Sequence, residues 1–180
     1  MSHARILIAG IGNIFLGDDA FGCEVVRQLA QKALPADVRI VDFGIRGIDL
    51  AYALMDGYES VILVDAAPRG EAPGTLYVIE PELNDKDSAD AAAMIDLHNL
   101  DPAKVLQLAK AFGVPLQRIL LVGCEPASIA GADELPPAMC ESVRSAIGPA
   151  VELVQSLINQ LLAAEQRVPF EICSNQLARR

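Results

Sequence analysis

The stretch "ILIAGIGNIFLGDDAFG", residues 6–22, joins a short apolar run to a glycine-containing loop and two adjacent aspartates. A continuous apolar run that ends in glycines is typical of a strand covered on both faces. From 20 to 34 apolar residues then recur at helical spacing, which predicts a helix. A strand, a loop and a helix in this order form the opening unit of an α/β fold.

The same unit recurs further along the chain. Apolar runs at 38–44, 60–67 and 118–126 predict three more buried strands. A helix is predicted between the first two of these runs, from Asp49 as its N-cap to Asp56. The alternation predicts a three-layer α/β/α domain, in which a mostly parallel sheet lies between helices and the crossovers are right-handed.

The remaining segments have weaker patterns. Residues 75–79 follow a turn signal and predict a further strand, antiparallel at an edge of the sheet. The acidic stretch at 82–96 is predicted as a loop with some helical content, because its apolar residues show little periodicity. Helices are predicted at 102–112, behind Asp101, and at 137–164.

The composition suits one globular domain, which we expect at residues 1–165, with a flexible C-terminal tail at 166–180. Of the 180 residues 52% are hydrophobic, enough for a sizeable core. The formal net charge is −10 and no basic cluster occurs, so nucleic acid is not an expected partner. The first apolar run is too short to cross a membrane and no cleavage site follows it, so we expect a cytoplasmic protein that does not bind membranes.

Common catalytic motifs are missing from the sequence. It contains no G-x-S-x-G elbow and no H-E-x-x-H helix. Its four cysteines have no C-x-x-C spacing, which favours reduced and mostly buried thiols; they are Cys23, Cys124, Cys140 and Cys173. Nucleophilic catalysis by a serine or a cysteine is therefore not expected.

Asp18 and Asp19 lie at the predicted start of the first helix. In a phosphate-binding loop this helix start would face the phosphate. The glycines at 10, 12 and 17 do not make the dinucleotide motif G-x-G-x-x-G, because Phe15 occupies the third glycine position. Negative side chains at a helix start suit the helix dipole but repel a phosphate. The loop is therefore expected to serve a cation.

Acidic residues lie at or after the end of each of the first three predicted strands. Asp42 ends the second strand and Asp65 ends the third, and Asp18 and Asp19 follow the first. Because ligands of open α/β sheets bind at the carboxyl ends of the strands, these four carboxylates are expected at one edge. Like charges in such a cluster destabilise the fold unless a cation compensates them.

His98, in "DLHNLDP", is the one histidine placed near a predicted element, since His3 lies at the start of the chain. One imidazole and two carboxylates suit a borderline divalent ion such as zinc, nickel or iron. Two structural alternatives stay open: His98 as an exposed loop side chain, and Asp18 or Asp19 as the cap of the first helix.

Five quoted features resemble one family, the hydrogenase maturation proteases, in order from residue 5 to about residue 160. They are "GIGNIFLGDDAFG" at 10–22, "ILVDAA" at 62–67, "APGTL" at 72–76, the isolated His98, and "LLVGCEP" at 120–126. The opening pattern G-x-G-N-x-x-x-x-D-(D/E)-x-x-G is the most specific of them. At residues 42–47 "DFGIRG" replaces a Gly-Gly-Thr-like segment, and Arg46 there is expected to balance charge or to bind a substrate carboxylate.

The resemblance implies a nickel-dependent endopeptidase. Such enzymes remove the C-terminal extension of a [NiFe] hydrogenase large-subunit precursor after nickel insertion. It implies Asp19, Asp65 and His98 as metal ligands, and we expect a supporting catalytic role for Asp42. No resident cofactor is implied, because the substrate contributes the nickel, for which zinc or cadmium substitutes in vitro.

Two other classes of function remain as alternatives. A phosphoacceptor receiver domain also has an acidic pair after its first strand and an aspartate at the end of its third. In this chain "GIGNIFLG" precedes the pair, and "VGCEP" replaces the expected late lysine. The second alternative is a non-catalytic maturation factor that binds nickel or the precursor.

Overall fold

The computed structural model describes residues 4–80, 118–127 and 138–165. Its elements in chain order are β1 (Ile6–Ile11), a 3-10 helix (Gly17–Ala20), α1 (Phe21–Leu29), β2 (Val38–Gly44), α2 (Gly47–Leu54), β3 (Ser60–Ala66), β4 (Leu76–Ile79), β5 (Arg118–Cys124) and α3 (Glu141–Glu165). The loop predicted at 82–96, the helix predicted at 102–112 and the tail predicted at 166–180 lie outside the described residues.

The five strands form one sheet in the order β2-β1-β3-β5-β4. The first four are parallel, and β4 runs antiparallel to β5. This confirms the predicted mostly parallel sheet with an antiparallel edge strand. Gly10 in β1 lies opposite Asp42 in β2 and Val64 in β3, so the carboxyl ends of these strands meet at the same edge.

Helices cover both faces of the sheet, as the continuous apolar runs predict. On one face α1 and α3 pack over side chains such as Ile8 and Val64. On the other face α2 packs over side chains such as Leu7 and Leu63. Every residue of β1 and β3 is buried. The three-layer α/β/α architecture is therefore confirmed.

Gly22 allows the start of α1 to approach the sheet closely. A Cβ at this position would lie 2.1 Å from the carbonyl oxygen of Val64 and 2.3 Å from that of Ile11. Both neighbours are backbone atoms, so a side chain here would force α1 away from the sheet. The absence of a Cβ thus lets the 3-10 helix lie next to the ends of β1 and β3.

The helix ends differ from the sequence expectations. The first helix ends at Leu29 rather than 34, and Gln31 and Lys32 form short turn bonds to Gln28 and Leu29 instead. Pro35 then follows, and the residues before a proline avoid helical geometry.

The starts of the other two helices also differ. Asp49 lies in the first turn of α2 and not at its N-cap, which is Arg46. The third helix begins at Glu141, four residues later than expected, and contains Pro149. Among the described residues, no helix combines the length and the apolarity that crossing a membrane requires.

Candidate active site

The loop after β1 wraps around Asp19. Gly12 adopts φ 126°, and a Cβ there would lie 1.9 Å from the backbone oxygen of Asp19. The backbone N–H of Asn13 donates a 2.7 Å hydrogen bond to Oδ2 of Asp19. Burial raises the pKa of Asp19 and the Asn13 bond lowers it, with burial the larger effect. The charged form of Asp19 is therefore destabilised by loss of hydration, and a nearby cation would offset this destabilisation.

Asp18 is engaged differently from its neighbour. It is 4% exposed, and its two oxygens accept backbone N–H bonds from Ala127 at 2.8 Å and Cys140 at 2.7 Å. Asp18 therefore ties the loop after β5 and the start of α3 to the 3-10 helix. The capping alternative is wrong for both aspartates, because Leu16 is the N-cap of the 3-10 helix and Ala20 is the N-cap of α1. In the described part of the chain, neither helix start has a side-chain capping bond.

Asp42 lies near the end of β2 on the face covered by α1. Its neighbours Val41 and Phe43 pack on the opposite face, and successive residues of a strand alternate between faces. Oδ2 of Asp42 accepts a 3.2 Å hydrogen bond from Nε of Arg27 in α1. The carboxylate is thus compensated by a cation of its own chain.

Asp65 lies near the end of β3 on the other face, the one covered by α2. It is 7% exposed, and its neighbours Val64 and Ala66 pack toward α1 and α3. It stands opposite Gly123 of β5 in the parallel register, and its charge acts on Tyr77 of β4. The strand ends thus bring Asp19 and Asp65 to one edge, whereas Asp42 and Asp65 point to opposite faces.

The two buried thiols, Cys23 and Cys124, have no catalytic character. Burial raises the pKa of Cys23 to about 12, and the charges of Asp42 and Asp19 act in the same direction. Burial also raises the pKa of Cys124 to about 12. Both thiols stay protonated near neutral pH, where a nucleophile needs a thiolate. Cys140 is free as well, and Cys173 lies outside the described residues.

A groove of about 430 Å³ opens between the loop at 12–15 and the loop at 42–46. Phe15 and Ile45 line it with side chains that are 74% and 69% exposed. Arg46 donates from Nε to the Phe43 carbonyl at 3.1 Å and from Nη2 to the Asp42 carbonyl at 2.6 Å. These bonds close the turn after β2. Nη1 of Arg46 also lies 3.5 Å from Oδ2 of Asp49, an ion pair that fits the charge-balancing interpretation of Arg46.

Sequence reasoning did not single out Glu125 or Tyr77. Glu125 is 4% exposed and accepts backbone N–H bonds from Arg69 at 2.7 Å and Gly70 at 3.1 Å. Tyr77 donates its hydroxyl hydrogen to the Ala67 carbonyl. The same signal that drew attention to Asp65, a carboxylate closing an apolar strand, was present for Glu125 in "VGCEP".

The predicted ligand set is only partly within the described residues. His98 lies outside them. Within 4–80, 118–127 and 138–165 no group of three or more His, Cys, Asp or Glu side chains is arranged to hold a metal ion. The combination of Asp19, Asp65 and His98 therefore stays a prediction.

Comparison with known proteins supports the resemblance over most of the chain. The family model described as hydrogenase maturation protease matches residues 23–157, a segment that contains Asp42, Asp65 and His98. The hydrogenase expression/formation protein HupD of Rhodobacter capsulatus is 34% identical over 149 residues, covering 82% of this chain and 70% of that protein. The hydrogenase 2 maturation protease of Escherichia coli is 33% identical over 158 residues, covering 87% and 92%.

A solved structure agrees with these relatives. The hydrogenase maturating endopeptidase HybD from Escherichia coli has a TM-score of 0.66 and 30% identity, and the alignment covers 87% of this chain and 93% of that one. Fold, family pattern and sequence identity lead to the same assignment. This chain is a protease and belongs to the hydrogenase maturation protease family.

Proposed function

We propose that this protease removes the C-terminal extension of a [NiFe] hydrogenase large-subunit precursor after nickel insertion. The nickel is part of the substrate, and Asp19, Asp65 and His98 bind it. Asp42 supports the reaction by positioning a group or by transferring a proton. The enzyme then needs no metal of its own, and it acts only on a precursor that already carries nickel.

The placement of two desolvated acids carries the proposal. Asp19 lies beyond the end of β1 and Asp65 lies near the end of β3. These two strands pair directly, and Asp65 is 7% exposed. Burial raises the pKa of Asp19, so its carboxylate is a poorly solvated anion that gains from an added cation. Two acids and an imidazole are a donor set that borderline divalent ions accept, which includes nickel, and zinc or cadmium in vitro.

This donor set also accounts for hydrolysis without a nucleophilic side chain. The pKa values of Cys23 and Cys124 are raised to about 12, which argues against a thiol mechanism at these positions. A divalent ion at the scissile bond can polarise the carbonyl or lower the pKa of a water. A precursor without nickel offers no such ion and leaves the two carboxylates uncompensated.

The test is processing of a purified precursor, followed by intact mass. Wild-type protein is expected to shorten the nickel-loaded precursor and to leave the nickel-free precursor unchanged. His98→Ala is expected to abolish cleavage, because it removes the single imidazole of the ligand set. His3→Ala, the other histidine of the chain, is the matched control and should cleave normally. Undiminished cleavage by His98→Ala would contradict the proposal.

The same assay separates the alternatives. A non-catalytic nickel- or precursor-binding factor leaves the precursor mass unchanged even with wild-type protein. A phosphoacceptor receiver gains mass itself when it is incubated with a small phosphodonor. The antiparallel edge strand β4 and the family assignment both argue against a receiver, whose doubly wound sheet follows the flavodoxin-like order.

A further inference from the structure

Three residues form a row across β3, β5 and β4 next to the proposed metal-binding edge. Asp65 of β3 lies opposite Gly123 of β5, and Gly123 lies opposite Tyr77 of β4. Residues directly opposite each other in neighbouring strands present their side chains on the same face. Tyr77 and Asp65 therefore share the face covered by α2, with Gly123 between them.

The missing side chain of Gly123 brings the tyrosine closer to Asp65. A Cβ on Gly123 would lie 2.1 Å from Cε2 of Tyr77, 2.3 Å from Cζ and 2.6 Å from the hydroxyl oxygen. The hydroxyl end of the ring thus occupies the space above Gly123. Any other residue at 123 would fill this space with its Cβ. From there the Tyr77 hydroxyl donates to the carbonyl oxygen of Ala67, two residues after Asp65.

The surroundings keep Tyr77 protonated and in place. Burial and the charge of Glu125 raise the pKa of Tyr77 to about 12, although Arg69 lowers it, so the hydroxyl remains a donor at neutral pH. The Arg69 guanidinium lies over the tyrosine ring, 5.2 Å from its centroid. The Ala67 N–H donates in turn to the Cys124 carbonyl at 3.1 Å.

We propose that Tyr77 is a positioning residue for Asp65: by lying over Gly123 and bonding to Ala67, it fixes the end of β3 and with it the orientation of the Asp65 carboxylate. This inference rests on the proposed function, in which Asp65 binds the nickel of the substrate. Groups that orient metal ligands typically change metal affinity or activity by about 10- to 100-fold when they are removed. Tyr77 would act in this way through the backbone of the strand end.

Tyr77→Phe tests the inference, because it keeps the ring over Gly123 and removes only the hydroxyl. Two quantities are measured well below the thermal midpoint of the variant: the kcat for cleavage of the nickel-loaded precursor, and the dissociation constant of Zn²⁺ by titration calorimetry. We expect kcat to fall and Zn²⁺ binding to weaken, each by about tenfold. Tyr52→Phe, which removes a hydroxyl from a 59% exposed tyrosine of α2, should change neither.

The outcomes separate this inference from the proposed function. A Tyr77→Phe variant with wild-type kcat and wild-type Zn²⁺ binding overturns the positioning role, whatever happens to its thermal midpoint. Asp65→Asn is run in parallel. If Asp65→Asn cleaves like wild type, the proposed function fails. If Asp65→Asn is inactive while Tyr77→Phe behaves like wild type, only the positioning role fails.

Discussion

At the scale of single residues, the two adjacent aspartates of the 3-10 helix have different roles. Both oxygens of Asp18 accept backbone N–H bonds, from Ala127 and Cys140, at a position that is 4% exposed. Among the described residues Asp19 accepts a bond from the Asn13 N–H, and burial raises its pKa. Asp18 therefore supports the fold, whereas the charge of Asp19 is available for a cation and costs solvation without one.

Asparagine substitutions should separate these roles. Asp18→Asn turns an amide N–H₂ toward one of two backbone N–H donors and leaves that donor unsatisfied, so we expect the free energy of unfolding to fall by about 1–3 kcal/mol. Asp19→Asn keeps an acceptor for Asn13 and removes a desolvated charge, so it should not lose stability but should lose precursor cleavage. Urea denaturation and the processing assay measure the two effects, and equal stability losses would argue against this division.

At the scale of elements, a loop between two strands is held by one carboxylate. The segment at 67–75 connects β3 to β4, and the Glu125 carboxylate accepts N–H bonds from Arg69 and Gly70 within it. The backbone of Glu125 also bonds to the two residues just before β4. Its carbonyl oxygen accepts from the Gly74 N–H at 2.8 Å, and its N–H donates to the Thr75 carbonyl at 2.9 Å. We call this set of Glu125 bonds the Glu125 clamp. It joins the end of β5 to the loop that follows Asp65 and the end of β3.

This clamp predicts a pH-dependent contribution to stability. Burial alone would raise the pKa of Glu125, but bonds from the N–H groups of Arg69, Gly70 and Glu71 outweigh it and hold the pKa below the ordinary value of 4.5. The stabilisation is therefore present above the unfolded-state pKa and is lost as the pH falls through the lower folded-state pKa. The difference in free energy of unfolding between wild type and Glu125→Gln should be largest at neutral pH and shrink in acid.

Chemical denaturation at a series of pH values gives this difference. Glu152→Gln, an exposed substitution on α3, controls for the loss of one negative charge. If the difference in free energy of unfolding between wild type and Glu125→Gln grows as the pH falls, the stabilising role of the Glu125 clamp is contradicted.

At the scale of the whole molecule, a net charge of −10 and two acids at one edge of the sheet link stability to divalent ions. A ligand that binds only the folded state stabilises it by about 2.7 kcal/mol when its concentration is 100 times its dissociation constant. We expect Zn²⁺ to raise the thermal midpoint of wild type and not that of Asp65→Asn. Mg²⁺ at the same ionic strength is the control, because it prefers all-oxygen octahedral sites and only screens charge here. If Zn²⁺ raises the thermal midpoints of wild type and Asp65→Asn equally, Asp65 is not a ligand of the ion.

The sequence by itself determined the architecture and the family. Continuous apolar runs marked β1, β2, β3 and β5 because burial on both faces needs apolar residues throughout, and the turn before 75–79 marked the antiparallel edge. The opening motif and the order of the later ones carried the family resemblance, which the comparisons then established. These signals are local, since each is contained in a few consecutive residues.

Only the tertiary structure decided what the acidic residues do. The partners of Asp18 lie 109 and 122 residues further along the chain, so no local pattern could tell it from Asp19. Asp42 and Asp65 lie on opposite faces because the register of β2, β1 and β3 aligns Asp42 with Val64, the neighbour of Asp65. The row of Asp65, Gly123 and Tyr77 likewise depends on the register of β3, β5 and β4. Hydrophobic periodicity identifies a strand, but pairing between distant strands chooses which side chains meet.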